Sequence, residues 1–354
     1  MNLLLAPLSL IYSCITSIRN FLFDVGILNS KKFDIPIICV GNLSVGGNGK
    51  TPHVDYLAKT LKEKYKVAII SRGYKRKNYN FSYVEINSRV KDVGDESLML
   101  KKRNPDITVV VCGNRIKAVN KLKKDNPSTE LILLDDGYQH RWINSSLNLL
   151  LTNINKPFYK DYLLPLGNLR ENRSECRRAD CIIITNYQKA DDTHKKEIIS
   201  NILKYSNKQI IFSSIKYQKP IGVFNNEILD DLNERKIILI TGIANSIELK
   251  NHLNKKSEII KHFEFDDHYN YYKEDIMNIL SFYKTLEDNK KLILTTEKDK
   301  DKLIQYEDLF KGYELYYLPI EVELNNKEEF DKIILDYARK NYKNSWLLKK
   351  RNKF

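Results

Sequence analysis

The residues best suited to chemistry lie early in the chain. An apolar run at 35–40 leads into Gly41-Asn42-Leu43-Ser44-Val45-Gly46-Gly47-Asn48-Gly49-Lys50-Thr51, and a helical pattern follows over 50–65. Strand, glycine-rich loop and helix in that order make a cradle for a nucleoside triphosphate. Gly46, Gly47 and Gly49 let backbone N–H groups turn inward around phosphate oxygens, and the helix N-terminus adds its dipole. Ser44, Val45 and Asn48 complete the loop. Lys50 is placed to neutralise the β and γ phosphates, and Thr51 to offer its hydroxyl to Mg²⁺. Pro52 falls in the first helical turn, where its missing N–H costs nothing. One departure stands out: Ser44 occupies the first position of Gly-x-x-x-x-Gly-Lys-Thr.

A second group is acidic. Leu131-Ile132-Leu133-Leu134-Asp135-Asp136 puts two carboxylates at the carboxyl edge of a buried strand, where parallel sheets bind ligands. Mg²⁺ is usually held through one or two carboxylates plus substrate phosphates, so Asp135 and Asp136 suit it. The plain alternative is an Asp pair that caps the next turn. A nucleoside triphosphate and Mg²⁺ are what this reading expects. The following loop, Gly137-Tyr138-Gln139-His140-Arg141, is too polar for an ordinary connector.

These groups need a frame. Apolar runs at 35–40, 67–71, 107–111, 131–135, 147–151 and 181–185 alternate with helical patterns at 50–65, 96–102 and 115–124. Strands apolar throughout, alternating with helices, indicate a parallel sheet covered on both faces. A second series has strands at 237–241, 258–265, 291–296 and 314–319, with helices at 246–254, 274–286, 299–310 and 327–340. The expected fold is α/β: a P-loop NTPase-like domain over 29–218, a smaller α/β lobe over 219–354, and a membrane-associated helix over 1–28. The boundary is placed near 216–226, which holds Pro220, Gly222 and two asparagines.

The first 28 residues differ from the rest. No charge occurs from Leu3 to Ile18, and Leu5, Leu8, Ile11, Tyr12, Ile15, Ile18, Leu22 and Val25 recur at helical spacing, with Ser9, Ser13, Thr16 and Asn20 elsewhere. The uncharged run is short of the roughly 20 residues that span a bilayer, and Pro7 interrupts it. A helix in the membrane interface is favoured over one packed on its own domain, with Arg19, Lys31 and Lys32 facing acidic head groups.

Composition narrows the classes. The chain has 354 residues, 59 Lys and Arg against 45 Asp and Glu, and a net charge of +14, which predicts an anionic partner. Five cysteines without a Cys-x-x-Cys pair argue against a disulfide scaffold and a zinc ribbon. Nucleic-acid binding is rejected, because charge is its only support and no basic-aromatic cluster or helix-turn-helix accompanies it.

With these residues in view, the chain resembles the tetraacyldisaccharide 4′-kinase family. Gly41-Asn42-Leu43, Ser71-Arg72-Gly73-Tyr74, Gly94-Asp95-Glu96, 135–141, 163–171 and Thr296-Glu297-Lys298-Asp299 all look like its motifs, in order along most of the chain. The resemblance implies a lipid A enzyme on the cytoplasmic face of the bacterial inner membrane. Its reaction moves the γ-phosphate of ATP onto the 4′ hydroxyl of a tetraacylated glucosamine disaccharide 1-phosphate. Asp95 then resembles the carboxylate that prepares the sugar hydroxyl, and His268 its partner from the second lobe. The same resemblance implies that Glu96, Gln139, His140 and Glu171 line the metal and phosphate site, and that Arg115 and Arg170 are active-site arginines. Arg72 is a weaker candidate, and a monomer is expected. His53, His194, His252 and His262 are read as structural.

Three departures from the family pattern are visible. Lys75 follows Ser-Arg-Gly-Tyr where glycine is usual, Asn168 and Asn172 replace prolines, and Lys300 and Asp301 follow Thr-Glu-Lys-Asp where small or apolar residues are usual. The competing reading is a GTP-dependent switch or metallochaperone. It rests on Lys189-Ala190-Asp191 after the run at 181–185, with Gln188 where a guanine-reading Asn would stand.

Overall fold

The computed structural model describes residues 3–187 and 191–351. In chain order the larger lobe begins with helix α1 (Ala6–Asp24), β1 (Ile37–Asn42), α2 (Lys50–Lys62), β2 (Val67–Ser71), β3 (Ser82–Tyr83), α3 (Val90–Val93) and α4 (Asp95–Arg103). It continues with β4 (Thr108–Val111), α5 (Arg115–Asp125), β5 (Leu131–Asp135), β6 (Leu147–Asn153), β7 (Cys181–Thr185), α6 (Asp192–Leu203) and β8 (Gln209–Tyr217). The smaller lobe holds β9 (Ile221–Gly222), β10 (Lys236–Thr241), α7 (Ile247–Leu253), β11 (Glu258–Glu264), α8 (Lys273–Lys284), β12 (Lys291–Thr296), α9 (Glu297–Leu303) and β13 (Leu315–Leu318). The chain then returns to the larger lobe through β14 (Ile320–Leu324) and α10 (Lys327–Arg351).

The large sheet runs β14-β8-β7-β6-β1-β5-β2-β4-β3, parallel except at the edge strands β3 and β14. Its central strands are Ile, Leu and Val almost throughout because helices cover both faces. β1 lies between β5 and β6, and Val40 pairs with Asp135. That register sets the loop after β1 beside the acidic end of β5. The smaller sheet runs β11-β10-β12-β13-β9.

The return of the chain corrects the expected division, in which the second lobe ran from 219 to 354. β14 pairs antiparallel with β8, and Phe330, Ile334 and Ala338 of α10 are buried in the same cluster as Val40, Val54 and Leu57. The smaller lobe therefore ends at Pro319. β14 is a five-residue edge strand with Glu321 and Glu323 on its open side, and such a strand gives little apolar signal. The chain crosses between lobes twice, and the crossings are tied where the Gln218 N–H donates to the Pro319 carbonyl at 2.9 Å.

α1 sits polar side inward. Ser9, Thr16 and Asn20 are buried, whereas Leu8, Ile11, Ile15, Ile18 and Val25 are each at least half exposed. Ser9 Oγ donates to the Leu163 carbonyl at 2.9 Å and Tyr12 Oη to the Arg170 carbonyl at 3.0 Å. Arg19, expected to face lipid head groups, instead turns inward to Glu171 at 2.6 Å. Lys31 Nζ donates to Asn120 Oδ1 at 3.2 Å. No helix among the described residues is long and apolar enough to cross a membrane. Gln188, Lys189 and Ala190 of the guanine-reading resemblance lie outside the described residues, and Asp191 caps α6 by accepting from the His194 N–H.

Candidate active site

The loop after β1 has the geometry of a phosphate cradle. Gly46 and Gly49 take φ of +98° and +77°, which L side chains rarely adopt, and Gly49 leads directly into α2. Ser44, the departure at the first loop position, pairs with Leu169 across an isolated antiparallel bridge, and its hydroxyl accepts from Asn48 Nδ2 at 3.0 Å. A side chain is thus accommodated there. The Val45 N–H donates to the Asn168 carbonyl at 2.8 Å, fastening the loop to the 163–171 segment. Thr51 is buried at the start of α2, and His53 Nδ1 donates to the Gly49 carbonyl at 2.7 Å while its Nε2 accepts from Ser213 Oγ at 2.9 Å.

Asn42 organises the cations around this loop. Its Oδ1 accepts from Lys50 Nζ at 3.1 Å and from Arg170 at 2.5 Å, and its carbonyl accepts from Gln139 Nε2 at 2.8 Å. Arg170 also spans both oxygens of Asp136, at 2.9 and 3.3 Å, and Lys50 lies 3.7 Å from Asp136. Burial alone would raise the Asp136 carboxyl, but Lys50 and Arg170 hold it well below the usual carboxylate range. Asp136 therefore serves the cations, whereas Asp135 is the more available of the two for metal.

Asp135 is fully buried. Its Oδ2 accepts from Ser71 Oγ at 3.3 Å, and its Oδ1 has no partner among the described residues. Burial, followed by the nearby charges of Glu96 and Asp136, pushes its carboxyl up to about 7. A buried carboxylate with an oxygen unpartnered among the described residues, crowded by like charge, is a donor that suits a hard divalent cation.

Asp95 opens α4 after Gly94, whose φ of +87° favours glycine and where a Cβ would crowd the Gly73 and Tyr74 backbone. Its carboxylate accepts from His268 Nδ1, which lies 2.9 and 2.8 Å from the two oxygens. The sequence separates these residues by 173 positions, and the lobes bring them together. His268 sits at φ +60°, a backbone strain of about 1–3 kcal/mol that functional sites tolerate. Its N–H donates to the Gly242 carbonyl at 3.1 Å. On its other side Lys298 Nζ donates to His268 Nε2 at 3.2 Å. Burial would raise the Asp95 carboxyl, yet the His268 hydrogen bond and the charges of Lys298 and Lys302 keep it well below the usual carboxylate range.

The remaining expected residues fall in different places. Arg115 is buried, donates to the Gly113 carbonyl at 2.8 Å, and its Nε has no partner among the described residues. His140 stands near Arg115 and Arg72, and burial with their charges lowers it to about 4. Glu96 lies 3.5 Å from Lys298 and close to Asp135. Glu171 departs from expectation. It is fully buried in ion pairs with Arg19 at 2.6 Å and Arg178 at 2.5 Å, and accepts from Asn20 Nδ2 at 3.1 Å and Gln139 Nε2 at 3.3 Å. With two arginines on it, its carboxylate joins α1 to the loop after β5, and Gln139 reaches the cradle through the Asn42 carbonyl. Arg72 lies over the Tyr79 ring, with its guanidinium 5.9 Å from the ring centroid.

The other departures have places in the packing, and among them Asn172 Oδ1 accepts from the Ser174 N–H at 3.2 Å. Lys75 has φ +56°, the conformation that favours glycine, and its Nζ reaches across to the Asp267 carbonyl at 3.0 Å. The Asn168 N–H, which a proline would lack, donates to Asp161 Oδ1 at 3.1 Å. Lys300 packs over the Tyr317 ring and Asp301 pairs with Lys102 at 2.8 Å. Four residues gained no role from their pattern in the sequence: Asn42, Ser71, Lys298 and Lys302. The first three lay inside recognised motifs, and the fourth follows Lys298 by one helical turn.

Residues 1–339 match the tetraacyldisaccharide-1-P 4′-kinase family. A tetraacyldisaccharide 4′-kinase of Bacteroides thetaiotaomicron is 38% identical, covering 98% of this chain and 96% of the relative. One from Flavobacterium johnsoniae is 39% identical over 96% and 99%. The fold is similar to a crystal structure of LpxK from Aquifex aeolicus in complex with ATP, with a TM-score of 0.74, 33% identity, and 94% and 98% of the two chains covered. A phosphate cradle, an acidic strand end and a carboxylate–imidazole pair between lobes, met in a chain this close to those relatives from end to end, leave one assignment: the chain belongs to the tetraacyldisaccharide-1-P 4′-kinase family.

Proposed function

We propose that the protein transfers the γ-phosphate of ATP to the 4′ hydroxyl of a tetraacylated glucosamine disaccharide 1-phosphate, a step of lipid A assembly. The observation that supports this most directly is the Asp95–His268 contact, which joins a carboxylate of the larger lobe to an imidazole of the smaller one. In the transfer, the sugar oxygen bonds to the γ-phosphorus as the bond to the β–γ bridging oxygen breaks, ADP leaves, and the hydroxyl proton passes to Asp95. His268 orients the carboxylate. Lys50, Arg170 and Arg115 offset charge on the transferring group, and N–H groups of the 44–51 loop hold the β and γ phosphates. Mg²⁺, held by Thr51 and Asp135 with Glu96 nearby, would neutralise phosphate oxygens. Closing the lobes over the cradle excludes water, which competes for the phosphoryl group.

The protein is proposed to work as a monomer on the cytoplasmic face of the inner membrane. The outward stripe of Leu8, Ile11, Ile15 and Ile18 on α1 supports an interfacial attachment, since apolar side chains at that exposure gain by leaving water. Incubation with labelled ATP, Mg²⁺ and detergent-dispersed disaccharide 1-phosphate tests the reading. Label should reach the lipid only when all three are present, and GTP should substitute poorly. Hydrolysis without lipid labelling, or a strong preference for GTP, would overturn it.

A further inference from the structure

Lys302 is almost fully enclosed, with 3% of its side chain exposed, in the helix that follows β12. Its ammonium lies 3.1 Å from Asp95 Oδ2 and 3.2 Å from Asp299 Oδ1. Asp299 is itself immobilised: its Oδ2 accepts from the Gly242 N–H at 2.8 Å and from Thr296 Oγ1 at 2.7 Å. The lysine therefore joins a fixed carboxylate of the smaller lobe to the carboxylate of the larger lobe that is assigned to the proton transfer. An ammonium this deeply buried is costly unless paired, so the two carboxylates determine where it sits.

We propose that Lys302 is a positioning residue for the phosphoryl transfer, fixing the rotation of the Asp95 carboxylate and making that orientation depend on the seating of the smaller lobe. This rests on the kinase reading above. His268 cannot set the rotation alone, because its Nδ1 is nearly equidistant from both oxygens at 2.9 and 2.8 Å. The Glu96 N–H holds Oδ1 at 2.9 Å, and Lys302 is the matching donor on Oδ2. An ionised carboxylate offers about four lone-pair sites. Glu96 and Lys302 each engage one oxygen, and the His268 N–H is shared between both, so the lone pairs that face the sugar hydroxyl lie in a defined plane. Without Lys302, Oδ2 loses its one unshared donor and the plane is held from the Oδ1 side alone. If the lobes part, Lys302 keeps Asp299, its neighbour in the same lobe, and loses Asp95.

The other cross-lobe pairs between α4 and α9 provide the control. Lys102 meets Asp301 at 2.8 Å, and Arg103 meets Glu297 at 2.7 Å. The Lys102 pair bridges the same two helices without touching Asp95.

The test compares Lys302→Met, Lys302→Arg and Lys102→Met in the full-length protein, with ATP, Mg²⁺ and disaccharide 1-phosphate, alongside Asp95→Ala. Lys302→Met should lower kcat about 10- to 100-fold, the loss of one charge-assisted hydrogen bond, with the KM for ATP changed less than about twofold. Lys302→Arg should recover most of that loss, and Lys102→Met should stay within about threefold of the parent. On the Asp95→Ala background, Lys302→Met should add almost nothing. A kcat for Lys302→Met near the parent value, or a loss that multiplies fully with Asp95→Ala, would overturn the proposal. If Lys302→Met does not fold, Lys302→Gln makes the same comparison. Failure of the parent protein itself to label the lipid would instead strike the kinase reading.

Discussion

Glu171→Gln separates two roles for one buried carboxylate. If Glu171 ties α1 to the site loops, neutralising it removes the charge that satisfies Arg19, Arg178, Asn20 and Gln139 together. Breaking a buried ion pair by removing one partner costs about 3–5 kcal/mol, because a charge is left unpaired. Two features place this case at the lower end. The Arg19 side chain is 38% exposed and regains water, and Arg178 keeps Glu175 at 2.8 Å. A loss of about 3 kcal/mol corresponds to a drop of roughly 6–12 °C in the unfolding midpoint at this size of domain. Thermal unfolding and the Mg²⁺ dependence of kinase activity should be measured on the same preparation. The expected outcome is a large fall in Tm with the half-saturating Mg²⁺ changed less than about twofold. An unchanged Tm with a rise of about tenfold in the Mg²⁺ required, the size of a lost metal contact, would refute this reasoning and return Glu171 to the metal.

Lys50→Ala should lower kcat/KM about 10²-fold or more, roughly 3 kcal/mol of transition-state stabilisation, with the fold retained by circular dichroism; an unchanged rate would remove the cradle assignment. Asp95→Ala and His268→Ala should be strongly non-additive in single-turnover transfer, while both still bind ATP; fully multiplicative losses would give the two residues independent roles. His53→Leu should destabilise the protein by about 1–3 kcal/mol in chemical denaturation, because the Gly49 carbonyl and Ser213 hydroxyl lose their shared buried partner; a change within experimental error would show that the bridge is dispensable. Exchange of Ile11 and Ile15 for Glu should release the protein from anionic vesicles without lowering Tm, since both side chains point away from the fold; undiminished sedimentation with vesicles would assign the attachment to another surface.

Much of the larger lobe was legible because a buried parallel strand is apolar at every position. The runs at 67–71, 131–135 and 181–185 coincide with β2, β5 and β7 residue for residue. Lys50, Arg115 and Asp95 fall within a residue of the expected helix starts. Edge and amphipathic elements were less visible. β8 and α6 gained no expectation, because the strand is half covered and the helix is largely polar. The 299–310 helix divides at Ile304 into α9 and a 3₁₀ segment, with Tyr306 outside helical geometry. In the site, motif order disclosed Asp95 and His268, but the partners of a buried charge depend on tertiary contacts between distant segments. Periodicity says nothing about which lysine of α9 will reach a carboxylate on α4, so Lys302 emerged only from the packing.

The same limit explains the inversion of α1. A helical wheel identifies an apolar stripe and a polar stripe, and in a water-soluble domain burial would select the apolar one. Here Ser9, Tyr12 and Asn20 meet the carbonyls and carboxylate of the 163–171 segment, whose backbone polar groups need partners that Leu or Ile cannot supply. Polar complementarity thus fixes the inner face, and the apolar stripe is left outward. Arg19 follows from the same choice, because it lies on the inward edge next to Asn20 and within reach of Glu171. The geometry then connects surface and site in a short series of contacts: α1 to Glu171, Glu171 to Gln139, Gln139 to the Asn42 carbonyl, and Asn42 to Lys50 and Arg170. Each contact is a hydrogen bond or ion pair made by a buried or half-buried side chain. A helix held by its polar face therefore braces the cations beside the glycine-rich loop while its apolar stripe faces outward.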